Sequence, residues 1–176
     1  MAYYLKDGSI RVKVNGKLSE PKKILIGVPQ GSVLGPLLFI IYINDLPYDL
    51  LNPCKLYADD SKLIARVDND QEYTQTQIDL DTICRWCVEW DMELNYKKCK
   101  LIQFGQKVKE RKYYLSDKKN NKHQIEKSKS ERDLGVLISS DFKWKEQTEM
   151  VVNKANRVLG MLRNSFAYRG LDLWTI

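Results

Sequence analysis

The sequence has no long hydrophobic run. Its most apolar segment, Val33 to Ile43, is interrupted by Gly35, Pro36 and Tyr42, and it is far shorter than the roughly 20 residues that a membrane-spanning helix needs. The first residues also lack the basic-then-apolar pattern of a secretion signal. These absences argue against a membrane partner and predict an intracellular protein.

Side chains that bind soft metals are scarce, since the chain has one histidine and four cysteines. Cys84 and Cys87 form a C-x-x-C, but no second such pair accompanies them and both fall inside a helical pattern. Without a secretory context, reduced thiols are favoured over disulfides. Packing within a helix is therefore the favoured interpretation of this pair, with a zinc or redox module as the alternative.

What the sequence does have is an uneven charge. The net charge is +6, yet residues 45–93 hold twelve acidic and four basic side chains. Residues 107–132 hold ten basic and four acidic side chains, and residues 1–44 carry a net +4. An acidic centre between basic segments suits a metal-binding centre beside a polyanion track. Solvated surface is the alternative interpretation.

The most informative stretch is Tyr57-Ala58-Asp59-Asp60, which lies between two short β-prone runs. This arrangement predicts a tight β-hairpin with both carboxylates on one exposed edge. Two neighbouring anions repel each other, so a divalent cation is their natural partner, and Mg²⁺ prefers a few carboxylate oxygens together with substrate phosphates. A solvated acidic turn is the alternative.

The remaining pattern is mixed α/β. Alternation from Ile10 to Val14 followed by Asn15-Gly16 predicts a first hairpin, whose second strand runs through residues 22–26. Pro36 suits the start of an apolar, buried helix that ends near Leu46. A long helix over residues 71–92 carries a predicted apolar stripe: Ile83, Cys87, Trp90 and Leu94. A polar turn at 117–122 separates two short strands, and a final helix over 144–166 is predicted to bury these residues: Val151, Ala155, Val158, Leu162 and Phe166.

Three linked motifs resemble the reverse transcriptase of a non-LTR retrotransposon of the LINE or jockey-like kind. They are G-V-P-Q-G-S-V-L-G-P-L-L-F at 27–39, Y-I-N-D-L-P at 42–47 and Y-A-D-D at 57–60. N-Y-K-K at 95–98 resembles the family's N-x-x-K strand-entry motif, and D-L-G-V-L-I at 133–138 resembles its L-G-V strand near the primer grip. The resemblance covers essentially the whole length.

The resemblance implies an α/β (α+β) polymerase palm over residues 1–140, with a small antiparallel sheet backed by helices, and the start of a helical thumb over 141–176. It implies Mg²⁺-dependent extension of a DNA primer on an RNA template by deoxynucleotide triphosphates. Asp59 and Asp60 would be catalytic and bind the metal. The residues that would shape the nucleotide and template pocket are Pro29, Gln30, Gly31 and Tyr57.

Three further assignments rest on the same resemblance. Lys98 matches the lysine that protonates or neutralises the departing pyrophosphate, and Lys97 and Lys100 offer competing alignments with the motif. A merely solvated lysine is the alternative. Leu134 and Gly135 match the primer grip. For Tyr57 an ordinary strand aromatic is the alternative, and for the Gln30-Gly31 loop it is a rigid turn that only caps the helix.

One departure from the family concerns activity. Its first catalytic aspartate lies in a pattern like F-D-x-V upstream of the G-x-P-Q-G loop, and residues 1–26 contain no such pattern. Two carboxylates in place of three weaken a metal site in charge and geometry. The chain alone is therefore expected not to polymerise unless a partner, such as the N-terminal part of a polymerase, supplies the missing residues. A catalytically inactive nucleic-acid-binding remnant or domesticated fragment is the alternative.

Overall fold

A computed structural model describes residues 8–24, 31–105 and 109–165. The chain divides into two compact units, residues 1–91 and 92–176. The described parts contain three helices, α1 (Leu34–Ile43), α2 (Asp70–Glu89) and α3 (Lys145–Ser165), together with twelve short strands. The predicted mixed α/β class is confirmed. The division into palm and thumb at residue 140 stays a prediction.

The described chain begins with a β-ribbon made of two antiparallel strand pairs. Its strands are β1 (Ser9–Ile10), β2 (Lys13–Val14), β3 (Lys17–Leu18) and β4 (Lys22–Lys23). Asn15 and Gly16 both take positive φ angles, 50° and 79°, as a two-residue hairpin turn requires. Between the two strand pairs, residues 11–12 face residues 19–21. This extra residue is a bulge, and it separates β3 from β4. The predicted second strand over residues 22–26 is confirmed at Lys22–Lys23, and residues 25–26 lie outside the described residues.

The core of the first unit lies where α1 meets α2. Ile43 and Leu46 are buried at the end of α1, and Ile83, Cys84 and Cys87 are buried on α2. The Tyr42 hydroxyl donates a hydrogen bond to the Trp90 carbonyl oxygen, which ties the two elements together. In contrast to the prediction, half of the residues of α1 are exposed, with Leu37 51% and Ile41 61% accessible. The helix is apolar all round, and its two buried residues are Gly35 near its start and Ile43 at its end.

Helix α2 begins at a complete capping box. The Asn69 side chain accepts a hydrogen bond from Glu72 N at 2.9 Å, and the Glu72 carboxylate accepts one from Asn69 N at 3.3 Å. Such reciprocal bonds satisfy amides that the first turn would otherwise leave unpaired. The predicted stripe is confirmed for Ile83 and Cys87. It is wrong for Trp90 and Leu94, because the helix ends at Glu89 and Trp90 is 43% exposed.

Two short strands of the first unit, β5 (Cys54–Tyr57) and β6 (Asp60–Leu63), form an antiparallel pair. The second unit contains the other six: β7 (Lys100–Ile102), β8 (Tyr114–Ser116), β9 (Lys122–Gln124), β10 (Glu126–Ser128), β11 (Ser130–Asp133) and β12 (Val136–Ser139). The pairs β8–β9 and β11–β12 are antiparallel, whereas β7 and β10 pair in parallel. The predicted strands around the polar turn are confirmed as β8 and β9.

Helix α3 departs from its predicted burial. None of its described residues is buried, and Val151, Val158 and Leu162 are 52%, 44% and 40% exposed; Phe166 lies outside the described residues. The helix is held at its start, where the Gln147 side chain accepts a hydrogen bond from Leu137 N at 2.8 Å. The helix that the amphipathic pattern predicts is confirmed, but the pattern does not specify the partner that burial requires. Within the described ranges, no helix is long and apolar enough to cross a bilayer.

Candidate active site

The acidic stretch forms the predicted hairpin. Strands β5 and β6 pair from Cys54 opposite Leu63 to Tyr57 opposite Asp60, which leaves Ala58 and Asp59 as the two turn residues. Ala58 takes a positive φ of 51°, a conformation that costs a non-glycine residue roughly 1–2 kcal/mol. Asp59 and Asp60 are both exposed at this tip. Local backbone geometry therefore presents two adjacent carboxylates on an accessible edge.

The two carboxylates have the donor chemistry that a hard cation needs. Mg²⁺ takes oxygen ligands and commonly uses one or two carboxylates with water and substrate phosphates for the rest. The described residues contain no group of three or more histidine, cysteine and acidic side chains that could hold a metal ion. Asp59 and Asp60 thus have the donor chemistry for part of a Mg²⁺ site, and no third ligand of this kind joins them among the described residues.

The loop before α1 is described only from Gly31 onward, so Pro29 and Gln30 lie outside the described residues. Gly31 has a φ of 79°, and a Cβ built on it would meet nothing within 4 Å. Glycine is therefore required here for backbone conformation, not for close packing. The next residue, Ser32, accepts a hydrogen bond from Gly35 N at 3.0 Å, so its hydroxyl caps the first turn of α1.

The candidate lysines lie in the second unit, whereas the acidic hairpin lies in the first. Residues 96–98 form a turn, closed by a hydrogen bond from Lys98 N to the Asn95 carbonyl oxygen at 2.9 Å. Lys97 and Lys98 are exposed. Lys100 forms an ion pair with Glu126 across the β7–β10 pair, and this hydrogen bond raises the pKa of the Lys100 ammonium. Of the three candidate lysines, Lys97 and Lys98 do not take part in this ion pair.

The predicted primer-grip residues form a turn, which corrects the expectation of a strand. Leu134 and Gly135 have φ angles of 47° and 90° and connect β11 to β12, with Asp133 paired opposite Val136. Positive φ at both central positions is the signature of a tight hairpin turn. The alternation of apolar residues in D-L-G-V-L-I hides this turn, because Leu134 is apolar but 55% exposed.

The sequence reasoning assigned no role to Asp79, which is the one described residue with a fully buried side chain. Asp79 lies on the buried side of α2 with Thr76, Ile83 and Cys87. Its carboxylate accepts hydrogen bonds from the loop that precedes β5. An ionisable residue placed at helical spacing within an apolar stripe is the signal that could have revealed it.

A second polar cluster surrounds the only histidine. Asp117 accepts hydrogen bonds from the Asn121 side chain at 2.9 Å, from His123 Nε2 at 3.1 Å and from the backbone amides of Lys119 and Asn121. These bonds, of which the one from the Asn121 side chain has the largest effect, hold the pKa of the Asp117 carboxyl well below its usual range. The His123 ring stacks on Tyr96 with centroids 4.5 Å apart. This cluster rigidifies the β8–β9 turn.

None of the four cysteines, all of which are described, forms a disulfide. Cys84 and Cys87 are buried on α2, in agreement with the packing interpretation.

Comparison with known proteins gives one consistent set of relatives. The family model described as reverse transcriptase (RNA-dependent DNA polymerase) matches residues 1–155. The chain is 38% identical over 104 residues to a probable RNA-directed DNA polymerase from transposon BS of Drosophila melanogaster, covering 54% of this chain and 12% of that protein. It is 31% identical over 122 residues to the RNA-directed DNA polymerase from mobile element jockey of the same species, covering 60% and 12%.

The jockey polymerase of Drosophila funebris is 33% identical over 110 residues, covering 56% of this chain and 12% of that protein. The chain thus spans about an eighth of the length of these curated relatives. No solved structure gives a significant match.

Proposed function

The chain belongs to the reverse transcriptase family, and from that premise we propose that it forms part of a catalytic domain that extends a DNA primer on an RNA template. The reaction class is Mg²⁺-dependent nucleotidyl transfer from deoxynucleotide triphosphates. The resemblance to retrotransposon polymerases supports this substrate class. The observation that carries the proposal is the β5–β6 hairpin, which presents Asp59 and Asp60 together at an exposed tip.

Asp59 and Asp60 are the proposed metal ligands. When bound, Mg²⁺ supplies Lewis-acid stabilisation of the charge that develops during phosphoryl transfer. The remaining ligands come from substrate phosphates, water and polypeptide outside the described residues, such as the N-terminal part of a polymerase. Tyr57, 63% exposed and paired opposite Asp60, is proposed to brace the primer end beside the carboxylates.

The other predicted residues complete this proposal. The Pro29-Gln30-Gly31 loop is proposed to shape the nucleotide and template pocket, which the positive φ of Gly31 supports. Lys98 is proposed to neutralise the departing pyrophosphate, and its exposure in the turn after Asn95 supports that role. Leu134 and Gly135 are proposed to contact the primer from the tip of the β11–β12 hairpin.

The test is cation binding measured by calorimetry, with Mn²⁺ as the probe and a primer–template duplex present. We expect Asp59→Asn with Asp60→Asn to weaken Mn²⁺ binding at least tenfold, because the exchange removes both anions and keeps the side-chain shapes. Asp49→Asn is the matched control, since Asp49 is another exposed aspartate of the same unit. Equal Mn²⁺ affinity in the wild type and the double variant would refute the metal site.

Polymerisation is tested separately by primer extension, with the upstream polymerase segment that carries the F-D-x-V pattern supplied as a second polypeptide. We expect extension to require both polypeptides, Mg²⁺ and an intact hairpin. Lys98→Gln is expected to lower the rate of extension more than Lys97→Gln does. A complete absence of extension with both polypeptides would favour the non-enzymatic alternative.

That alternative is a nucleic-acid-binding function without catalysis. It is favoured by exposed lysines in and beside β9 and β10 of the second unit: Lys119, Lys122, Lys127 and Lys129. Helix α3 adds four exposed basic residues: Lys145, Lys154, Arg157 and Arg163. Binding of this kind weakens steeply with salt, because each phosphate contact releases counterions. It also predicts an affinity that does not depend on Mg²⁺.

Salt titration of duplex binding distinguishes the two functions. Lys122→Gln with Lys127→Gln is expected to reduce the slope of log affinity against log salt by about 2, since each contact contributes roughly 0.9. Asp59→Asn with Asp60→Asn should leave this slope unchanged. Salt-insensitive binding would exclude the alternative.

A further inference from the structure

The Asp79 carboxylate is completely buried, with 0% of the residue exposed. Oδ1 accepts a hydrogen bond from Leu51 N at 2.8 Å. Oδ2 accepts one from Asn52 N at 2.9 Å and one from Asn52 Nδ2 at 2.7 Å. Burial of a carboxylate is costly unless such bonds compensate, and bonds to an ionised acceptor are the strong ones. Both oxygens are therefore committed to one short segment of loop.

This segment is the base of the acidic hairpin. Only Pro53 separates Asn52 from β5, and the Pro53 carbonyl oxygen accepts a hydrogen bond from Ile64 N at 2.9 Å, which closes the hairpin after β6. The negative charge of Asp79 also reaches Cys54, the first residue of β5, and is one of the causes that raise the pKa of that thiol, after burial. Asp79 thus lies close to the first residue of β5.

The two-stranded hairpin needs such an anchor. Its strands pair with each other, and no other strand of the described residues pairs with them; an isolated two-stranded hairpin is marginal in water. The tip lies seven residues beyond Asn52, about 23 Å away at the rise of a β-strand. A rotation of about 10° at the base would therefore move the tip by roughly 4 Å. Misplacement by even about 1 Å can cost a reaction roughly a hundredfold.

We propose that Asp79 is a positioning residue for the proposed polymerase reaction. From helix α2 it fixes the Leu51–Asn52 loop and so sets the orientation of the hairpin that carries Asp59 and Asp60. This role rests on the proposed function for its chemical consequence, but the positioning itself is measurable without any reaction. It assigns the Asp79 carboxylate to the support of the site and not to metal binding.

Hydrogen exchange of the full chain, read amide by amide, tests the positioning. Asp79→Asn removes the negative charge and places an amide NH2 group, a donor, opposite the N–H donors of Leu51 and Asn52. We therefore expect hydrogen exchange of the β5–β6 amides to rise at least tenfold, while exchange of amides within α2 should change less than threefold. Asp81→Asn is the matched control, because Asp81 is an exposed aspartate of the same helix that pairs with Gln77. It should change neither set of amides.

Two further variants keep the test decisive if Asp79→Asn fails to fold. Asn52→Ala removes only the side-chain donor and is expected to raise hairpin exchange severalfold. In the double variant Asn52→Asp with Asp79→Asn, the side chains of residues 52 and 79 can still form one hydrogen bond, with donor and acceptor exchanged. This variant should recover part of the protection from hydrogen exchange that Asp79→Asn alone loses. Unchanged hairpin exchange in Asn52→Ala, or an equal rise at all amides of the unit, would overturn the proposal.

Mn²⁺ affinity of the folded variants then separates this proposal from the proposed function. Asp79→Asn, or Asn52→Ala in its place, should weaken Mn²⁺ binding severalfold even where unfolding curves show that the sample is fully folded. Loss of stability alone would not weaken Mn²⁺ binding in such a sample. If Asp59→Asn with Asp60→Asn leaves Mn²⁺ binding unchanged, the proposed metal site fails while hydrogen exchange still decides the role of Asp79. If only the Asp79 and Asn52 variants leave Mn²⁺ binding unchanged, the positioning role fails.

Discussion

Replacement of Tyr42 tests what holds the first unit together. The ring of Tyr42 packs edge-on against Trp86 and Trp90, with centroids 5.8 Å and 5.7 Å apart, and lies 6.4 Å from Phe39. Its hydroxyl donates to the Trp90 carbonyl oxygen. Tyr42→Phe removes the hydrogen bond alone, whereas Tyr42→Ala also removes the ring that connects α1 to α2.

The expected losses follow from these contacts. A single hydrogen bond contributes about 1 kcal/mol, so Tyr42→Phe should lower the free energy of unfolding by that amount. An aromatic residue replaced by alanine in a core costs about 3–5 kcal/mol, and each edge-on ring pair contributes about 0.5–1.5 kcal/mol of this. Because Tyr42 is only half-buried, we expect Tyr42→Ala to cost about 3 kcal/mol.

Urea unfolding followed by tryptophan fluorescence measures both losses, since Trp86 and Trp90 lie in the cluster itself. Tyr48→Phe is the control, because Tyr48 is 76% exposed, and its cost should stay within about 0.5 kcal/mol. Equal losses for Tyr42→Phe and Tyr42→Ala would show that the ring contacts contribute nothing. A loss below about 1 kcal/mol for Tyr42→Ala would refute the role of the cluster.

Three further perturbations address the capping box, a turn and a charged cluster. Asn69→Ala should lower stability by about 1 kcal/mol in thermal unfolding through loss of its bond to Glu72 N, and no change in melting temperature would contradict this. Gly135→Ala should cost about 1 kcal/mol in urea unfolding, because the φ of 90° disfavours alanine and no clash contributes; a neutral result would argue against the turn. The pKa of Asp117 is lower in the folded chain than its unfolded value near 4, so its bonds stabilise the fold above that pH and are lost as the pH falls. Asp117→Asn should therefore flatten the decrease in melting temperature between pH 6 and about pH 3, and an unchanged pH profile would count against the cluster.

The motifs that identify the family depend on local chemistry, which is why they are legible in the sequence. Asn15-Gly16 tolerates positive φ, and strand-forming residues on both sides of Ala58-Asp59 allow just one short turn. The hairpins at both places are confirmed. A carboxylate pair at a turn is exposed wherever the hairpin is placed, so the candidate metal ligands could also be predicted.

Burial could not be predicted in the same way, because it depends on what a helix packs against. The apolar residues of α1 and α3 have helical spacing, yet Leu37 and Val151 are each about half exposed. Leu134 shows the same limit on a smaller scale: its apolar side chain suggests a strand, whereas the pairing of β11 with β12 makes it a turn residue.

The sequence by itself determined the family, the approximate positions of the three helices and the two acidic residues at the hairpin tip, since each follows from residue types a few positions apart. Only the tertiary structure decided that the buried Asp79 binds the loop before that hairpin and that Tyr42 donates a hydrogen bond to Trp90. These contacts join residues 27 to 48 positions apart, and no local pattern specifies which distant partner a side chain will meet.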